Sequence, residues 1–315
     1  MPPRVLITET LSQAAAKWLE ERADVVWCAY DEPGLGAQLA SAEGLVVRTY
    51  TIVDRAFLDQ APKLKVVGRA GVGLDNIDLQ ACRQRGVRVV YTPDANTQAV
   101  VEYVLALMLD HYRPRTDLPA QASADTFHQL RKTEVGTQLD QLTLGIVGFG
   151  HIGKRLGQAA HAIGMNLRVC DLLPEAELRK AVDYPFDFVD HETLYAGSDI
   201  VSIHVDGRPS NRQMLDAEML NHLRDDCVFI NAARGMLVDA DDIAEWAKAH
   251  PKARVILDVH DPEPPPSDYV LYGLPNVRLL PHIASRTHRA LENMSWVVKD
   301  VVKVLEGGEP VYPAV

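Results

Sequence analysis

The chain has 315 residues, 47% of them hydrophobic, with 32 Lys and Arg against 43 Asp and Glu for a formal charge of −11. That length and apolar content suit two ordinary domains or one large one that buries roughly 75% of the extended-chain surface, and they exclude a disordered or disulfide-stapled chain. The acidic balance, with no Lys/Arg-rich run, argues against nucleic acid or an anionic membrane as partner. The four cysteines, Cys28, Cys82, Cys170 and Cys227, are far apart and form no CxxC. No metal site is expected, and a reducing, cytoplasmic location is. Met1-Pro-Pro-Arg-Val runs into a strand-like segment rather than a signal sequence, and no apolar stretch reaches about 18 residues, so export and membrane spanning are not expected.

In the first 95 residues short apolar runs alternate with helical periodicity. Val5–Thr8, Val25–Cys28, Leu45–Val47, Lys65–Val67 and Val87–Val90 predict strands, and Ser12–Glu21 and Asp75–Arg85 predict helices. Short β-branched strands between helices make a parallel sheet covered on both faces, an α/β fold. Thr97–Tyr112 predicts a long helix whose apolar residues Val100, Val101, Val104, Leu105, Leu107, Met108 and Leu109 cover more than one face. Burial between domains, against a partner subunit or inside one domain would each give that pattern. Arg113–Gln141 is polar, contains Pro114 and Pro119, and reads as an arm or excursion without legible elements. Six strand signals follow, at Leu142–Val147, Asn166–Asp171, Ile200–His204, Cys227–Asn231, Arg254–Asp258 and Val277–Leu280, with helices such as His151–Ile163 and Asp239–Ala249 between them. A final helix, Arg286–Leu305, is most economically returned to the first domain, leaving a cleft hinged on two crossovers.

Gly148-Phe-Gly150-His-Ile-Gly153 lies between a strand and a helix, and Asp171 ends the next strand 18 residues after Gly153. Gly148 permits the tight turn, Gly150 admits a pyrophosphate to the backbone, and Gly153 lets helix and strand pack closely. The helix N-terminus offers N–H groups to the phosphates, and Asp171 is placed for the adenosine ribose hydroxyls. A carboxylate there repels the 2′-phosphate of NADP, so NAD is the expected cofactor. Arg168 lies inside the strand and gives no sign of offsetting this repulsion.

Gly71-Val-Gly-Leu-Asp-Asn-Ile-Asp78, Asn96-Thr97, the glycine fingerprint, Asn231-Ala-Ala-Arg-Gly235, Leu257-Asp-Val-His-Asp-Pro-Glu-Pro264 and Pro281-His-Ile-Ala-Ser285 resemble the successive motifs of the D-isomer-specific 2-hydroxyacid dehydrogenases, closest to the D-3-phosphoglycerate dehydrogenase branch. The resemblance covers nearly the whole chain. It implies two doubly wound Rossmann-like domains: a discontinuous substrate (lid) domain, 1–96 plus 287–315, and an inserted NAD-binding domain, 97–286, through which such proteins usually form homodimers. It puts the catalytic set on Arg234, Glu263 and His282, and a substrate-carboxylate cradle on the main-chain N–H groups of Val72 and Gly73, with Asn96 nearby. Cofactor contacts are expected from Gly148, Gly150, His151, Ile152, Gly153, Asp171, His204, Ala232, Arg234, Asp258 and His282. Val205-Asp-Gly-Arg-Pro-Ser210 departs from the family's Val-Pro-Leu-Thr and changes the stiffness and charge of a loop near the cofactor. The length leaves no room for the C-terminal regulatory domains of long phosphoglycerate dehydrogenases, so feedback through them is not expected.

Residue chemistry supports the same site. Reducing a 2-oxo acid requires a hydride donor, a cation for the carboxylate and carbonyl oxygens, and an acid for the new alkoxide. The planar fork of Arg234, just past a strand end, suits the oxygens. His282, past another strand end, can give and take a proton near neutrality, and Glu263 would hold its other ring nitrogen and favour the imidazolium. Singly, Arg234 reads as a surface or capping residue, Glu263 as part of a solvated loop and His282 as a satisfied loop histidine; on three strand-end loops of one dinucleotide fold they make a site. Asp258 reads as structural or as tuning that site. Arg48, leaving a strand end in the first domain, and Arg69, before the cradle, are candidates for a second anionic group on the substrate. The expected activity is NAD-dependent interconversion of a small anionic 2-oxo acid and its D-2-hydroxy acid, with 3-phosphoglycerate first. Glyoxylate or hydroxypyruvate, or a phosphonate-bearing 2-oxo acid, is the alternative, and an NAD-sensing scaffold or corepressor is an alternative of another class.

Overall fold

Both ends of the chain build one unit and its middle builds another, in a computed structural model that describes residues 2–315. The first unit takes in the chain up to Asn96 and again from Ser285 to Val315; the second is Thr97–Ala284.

In the first unit β1 (Arg4–Ile7), β2 (Asp24–Trp27), β3 (Gly44–Val47), β4 (Val66–Arg69) and β5 (Arg88–Val90) pair in parallel in the order β2-β1-β3-β4-β5. Helices α1 (Gln13–Glu20), α2 (Leu35–Leu39), α3 (Arg55–Asp59) and α4 (Leu79–Gln84) join them. Strand residues alternate between two cores: Leu6, Leu45, Val47, Val67 and Val89 face one side, and Val5, Ile7, Val46, Val66 and Val90 the other. The chain leaves β1 for β2 on one side and returns to β3 on the other, so the crevice beyond β1 and β3 is the point where the strand order reverses. Side chains of Ser12, Asp54 and Asp78 accept main-chain N–H groups in the first turns of α1, α3 and α4 and fix where those helices begin.

The second unit holds β6 (Thr143–Val147), β7 (Asn166–Cys170), β8 (Asp187–Phe188), β9 (Ile200–Ile203), β10 (Val228–Asn231), β11 (Arg254–Leu257) and β12 (Val277–Leu279), all parallel, in the order β12-β11-β10-β9-β6-β7-β8. Its helices are α5 (Thr97–Tyr112), α6 (Ala124–Thr133), α7 (His151–Ala162), α8 (Glu175–Lys180), α9 (His191–Gly197), α10 (Ala217–Leu220) and α11 (Ala240–Ala249). Here the order reverses between β6 and β9. Val100, Val101, Val104, Leu107 and Met108 of α5 enter the same core as Leu144, Ile146, Leu156 and Ile230, so the wide apolar coverage of α5 reflects burial in its own unit. The polar stretch 113–141 contains α6, none of whose residues is buried. Edge strand β8 is two residues long, too short for the alternation by which a strand is recognised in sequence.

Back in the first unit, the predicted helix Arg286–Leu305 is two helices, α12 (His288–Ser295) and α13 (Val298–Leu305). Ser295 explains the break. Its hydroxyl donates to Leu291 O at 2.7 Å, a bond back along the helix that bends it, and accepts from Ser12 N at 2.9 Å. Among the described residues no helix is long and apolar enough to cross a membrane, and no three His, Cys, Asp or Glu converge as a metal site.

Candidate active site

Neighbouring strands β10, β11 and β12 end on one edge of the second sheet, and the loops beyond them carry Arg234, Glu263 and His282. Asn231 closes the first loop on itself: its side-chain oxygen accepts from Ala233 N at 3.0 Å and its amide donates to Arg234 O at 2.9 Å. This turn fixes the backbone from which the Arg234 guanidinium extends; its Nη1 donates to Ala233 O at 2.7 Å. Gly235 then passes against the neighbouring loop. A Cβ there would stand 2.0 Å from the carbonyl carbon and oxygen of His260 and 2.6 Å from Asp261 N, so only glycine brings the Arg234 loop this close to the loop of Glu263. His260 itself is buried, with Nε2 2.8 Å from Leu280 O and its ring edge-on to Tyr269, which makes it a strut between two loops.

His282 Nδ1 lies 2.8 Å from Glu263 Oε2, and both side chains are partly exposed. With Nδ1 held, Nε2 is the ring nitrogen left for proton exchange. His282 has φ 53°, in the left-handed region that few side chains other than Asn, Asp and His enter. The buried Asp258 carboxylate builds the turn that permits this: it accepts from Ile283 N at 3.0 Å and Ala284 N at 2.8 Å, while Tyr103 OH donates to it at 3.2 Å. Burial pushes the Asp258 carboxyl above its ordinary range, against the pull of these bonds and of His282.

At the switch point of the second sheet, Gly148 has φ 88°, and a Cβ on it would stand 2.7 Å from His204 O; one on Gly153 would stand 2.2 Å from Gly148 O. Gly150 begins α7 and offers no side-chain cap, and a Cβ on it would meet nothing within 4 Å. First-turn N–H groups under open space have the shape and polarity that a dinucleotide pyrophosphate requires, so these residues fit NAD. His151 is exposed at the start of α7, and Ile152 and Ala232 are half-buried against the core. Asp171, one residue past β7, accepts from Phe149 N at 2.5 Å and Leu173 N at 2.8 Å, which fixes its carboxylate beside the fingerprint. Arg168 is engaged at Thr193 O, 3.1 Å away. Half-buried His204 pairs through Nε2 with Ser202 Oγ at 2.9 Å, and burial lowers its pKa to about 4. In the following loop, Asp206 takes Arg208 Nε and Nη2 at 2.7 and 2.5 Å. The two charges that depart from the family pattern are thus spent largely on each other.

In the first unit, Arg48 follows β3 half-buried, its Nη1 3.4 Å from Thr10 O; burial lowers its pKa, Glu9 raises it and Arg286 lowers it. Arg69 Nη1 donates to Ala70 O at 3.0 Å, and its guanidinium covers Gly71. Val72 and Gly73 are half-buried in the loop after β4, and the side-chain oxygen of Asn96 is shielded with no partner among the described residues. Asn76 of the same Gly71–Asp78 motif ties that loop to the one after β3, donating to Arg48 O at 3.0 Å and Thr51 O at 2.7 Å.

Residues 105–284 match the family model described as D-isomer specific 2-hydroxyacid dehydrogenase, NAD binding domain. Along 316 aligned residues the chain is 33% identical to the D-3-phosphoglycerate dehydrogenase of Archaeoglobus fulgidus, covering 99% of this chain and 59% of that protein. It is 34% identical to the (S)-sulfolactate dehydrogenase of Chromohalobacter salexigens, covering 95% of this chain and 97% of that one. The chain belongs to the D-isomer-specific 2-hydroxyacid dehydrogenases. Among solved structures of similar fold, the TT0316 protein from Thermus thermophilus superposes with a TM-score of 0.84 at 32% identity, over 99% of this chain and 100% of that one. The D-lactate dehydrogenase from Aquifex aeolicus, complexed with NAD and lactic acid, shares the fold at a TM-score of 0.79 and 24% identity, over 96% of each. The chain spans 59% of the length of the Archaeoglobus relative.

Within the chain's second unit, the structure joins His282 to Glu263 directly and sets the Arg234 loop against the Glu263 loop through Gly235. Asp258 is legible in the sequence as a structural or tuning residue, but its partner Tyr103 is not, nor is the part Glu9 plays in the first unit. Tyr103 and Asp258 are 155 positions apart, a pairing that no local pattern signals, and Glu9 in the first unit stands outside every motif quoted above.

Proposed function

We propose that this chain interconverts a small 2-oxo acid bearing a second anionic group and the corresponding D-2-hydroxy acid. The observation that carries the reading is the 2.8 Å contact of His282 Nδ1 with Glu263, beside the Arg234 loop, in a unit of the family's NAD-binding type. When bound, the cofactor would supply the hydride as NADH or take it as NAD⁺. Arg234 holds the carboxylate and carbonyl oxygens, and its fixed charge meets the negative charge that develops on the oxygen. His282 gives a proton to that oxygen from Nε2 in reduction and takes it back in oxidation, while Glu263 orients the ring and stabilises the imidazolium. Gly148, Gly150, His151, Ile152, Gly153, Asp171, His204, Ala232 and Asp258 frame the cofactor. Residues 1–96 with 287–315 act as the substrate domain, where the N–H groups of Val72 and Gly73, with Asn96, cradle the carboxylate and Arg48, or Arg69, meets the second anion. A cytoplasmic homodimer completes the reading.

3-Phosphoglycerate is the first candidate substrate, supported by similarity to phosphoglycerate dehydrogenases along nearly the whole chain. A sulfonated acid is the second, favoured because the similarity to the sulfolactate dehydrogenase covers 95% of this chain and 97% of that one. NADH oxidation by the purified protein against glyoxylate, hydroxypyruvate, 3-phosphohydroxypyruvate, phosphonopyruvate and sulfopyruvate tests the reading. The highest kcat/KM is expected on an acid with two anionic groups. A preference for glyoxylate or hydroxypyruvate removes the second-anion assignment, and NAD binding without turnover on any acid favours an NAD-sensing scaffold.

A further inference from the structure

At the switch point of the first sheet a carboxylate of the chain itself sits where a ligand's charge is ordinarily received. Glu9 lies two residues beyond β1, and the four residues after β3 turn their main-chain N–H groups toward it. Arg48 N and Thr51 N reach Oε1 at 2.9 and 3.0 Å, Thr49 N reaches Oε2 at 2.9 Å, and Tyr50 N is 3.2 Å from both. The Thr51 hydroxyl adds a bond to Oε1 at 2.9 Å. Successive N–H groups aimed at one point form an anion-binding concavity. Burial pushes the Glu9 carboxyl up, but the four N–H bonds outweigh it and hold the group below its ordinary value. The carbonyls of the same turn are secured by the Asn76 amide, at Arg48 O and Thr51 O.

With these amides occupied, a substrate anion arriving at this edge has side-chain cations to meet. Arg48 springs from the turn that Glu9 holds, and Arg286 is close enough to act on its charge. We propose that Glu9 is the positioning residue of the substrate-recognition loop: it fills the amide nest of Arg48–Thr51, fixes that loop, and leaves the Arg48 guanidinium to receive the substrate's second anion. The proposal rests on the role given to Arg48 above.

Kinetics of Glu9→Ala, Glu9→Gln, Arg48→Ala and the Glu9→Ala/Arg48→Ala double variant test it, on 3-phosphohydroxypyruvate and on glyoxylate, with and without added acetate. Glu9→Ala is expected to raise KM for the doubly anionic acid about tenfold or more with kcat within about threefold of wild type. Acetate, entering the vacated nest, should restore part of that KM in Glu9→Ala while only inhibiting the wild type. Glu9→Gln keeps the bulk but turns an NH₂ toward the N–H groups, so its KM rises without a response to acetate. The double variant should lose little more than Arg48→Ala alone. An unchanged KM, an equal fall in kcat, or a folded Glu9→Ala protein deaf to acetate overturns the proposal. Equal losses on both acids in Arg48→Ala overturn the role of Arg48 instead, and the acetate response then decides whether Glu9 positions the loop.

Discussion

The main-chain N–H of His282 donates to the carbonyl oxygen of Asp258 at 2.7 Å, bridging the ends of β12 and β11. Asp258 then turns its carboxylate to the N–H groups of the next two residues, Ile283 and Ala284. In Asp258→Asn one amide end becomes a donor facing a donor, which leaves a buried N–H unmade at a cost of about 1–3 kcal/mol. Denaturant unfolding should show that loss. Turnover should fall by up to about 10²-fold, the scale on which a small misplacement of a catalytic group is felt. Wild-type stability and rate together would show that the carboxylate does not build the turn.

His282→Asn should keep the fold and NAD binding while lowering turnover about 10²–10⁴-fold, because positioned proton transfer contributes on that scale. Asn is the replacement of choice because it tolerates the left-handed backbone at this position. Glu263→Gln keeps a side chain at His282 Nδ1 but removes the carboxylate that anchors the ring, so turnover should fall while NAD binding is kept. Steady-state kcat and KM at saturating NAD decide it, and a Glu263→Gln turnover within about threefold of wild type would sink the role given to Glu263.

Asp171→Ala should narrow the preference for NAD over NADP, since it removes both the ribose acceptor and the repulsion of a 2′-phosphate. The variant also frees Phe149 N and Leu173 N beside the fingerprint, so KM for NAD should rise as the ratio shifts. The ratio of kcat/KM for the two cofactors is the measurement, and an unmoved ratio counts against Asp171.

His204 makes stability depend on pH. Its folded pKa is about 4, against 6.5 for the ordinary ring, so between those values the unfolded chain binds the extra proton and the folded chain does not. Stability is therefore fully present above pH 6.5 and declines as pH falls toward 4, by no more than about 3 kcal/mol. Urea midpoints measured from pH 7 to 4 should fall less steeply in His204→Gln than in wild type. Parallel slopes would assign the acid sensitivity to other groups.

Much of this was written in local pattern. The glycine fingerprint and the strand ends that carry Arg234 and His282 are short-range signals, because β-branched runs and glycine turns encode a parallel sheet and its edge directly. Strand β8 and helix α6 were not legible, one too short to alternate and the other with no buried face to mark its period. The division of Arg286–Leu305 into two helices depends on what Ser295 meets, and its partner Ser12 is 283 positions away. The supports of the candidate site share that character. Asp258 under His282, Glu9 under Arg48 and the main-chain approach at Gly235 are tertiary contacts that become visible only when distant strand ends are set side by side.

The left-handed backbone at His282 also sets a direction for divergence. Glycine enters that conformation without a steric penalty and asparagine with a small one, so folding by itself gives no advantage to an imidazole there. A duplicated gene copy relieved of turnover would be free to drift toward either residue while retaining its two sheets. An imidazole there, its ring anchored on Glu263, answers to the proton transfer proposed for it and not to any preference of the backbone.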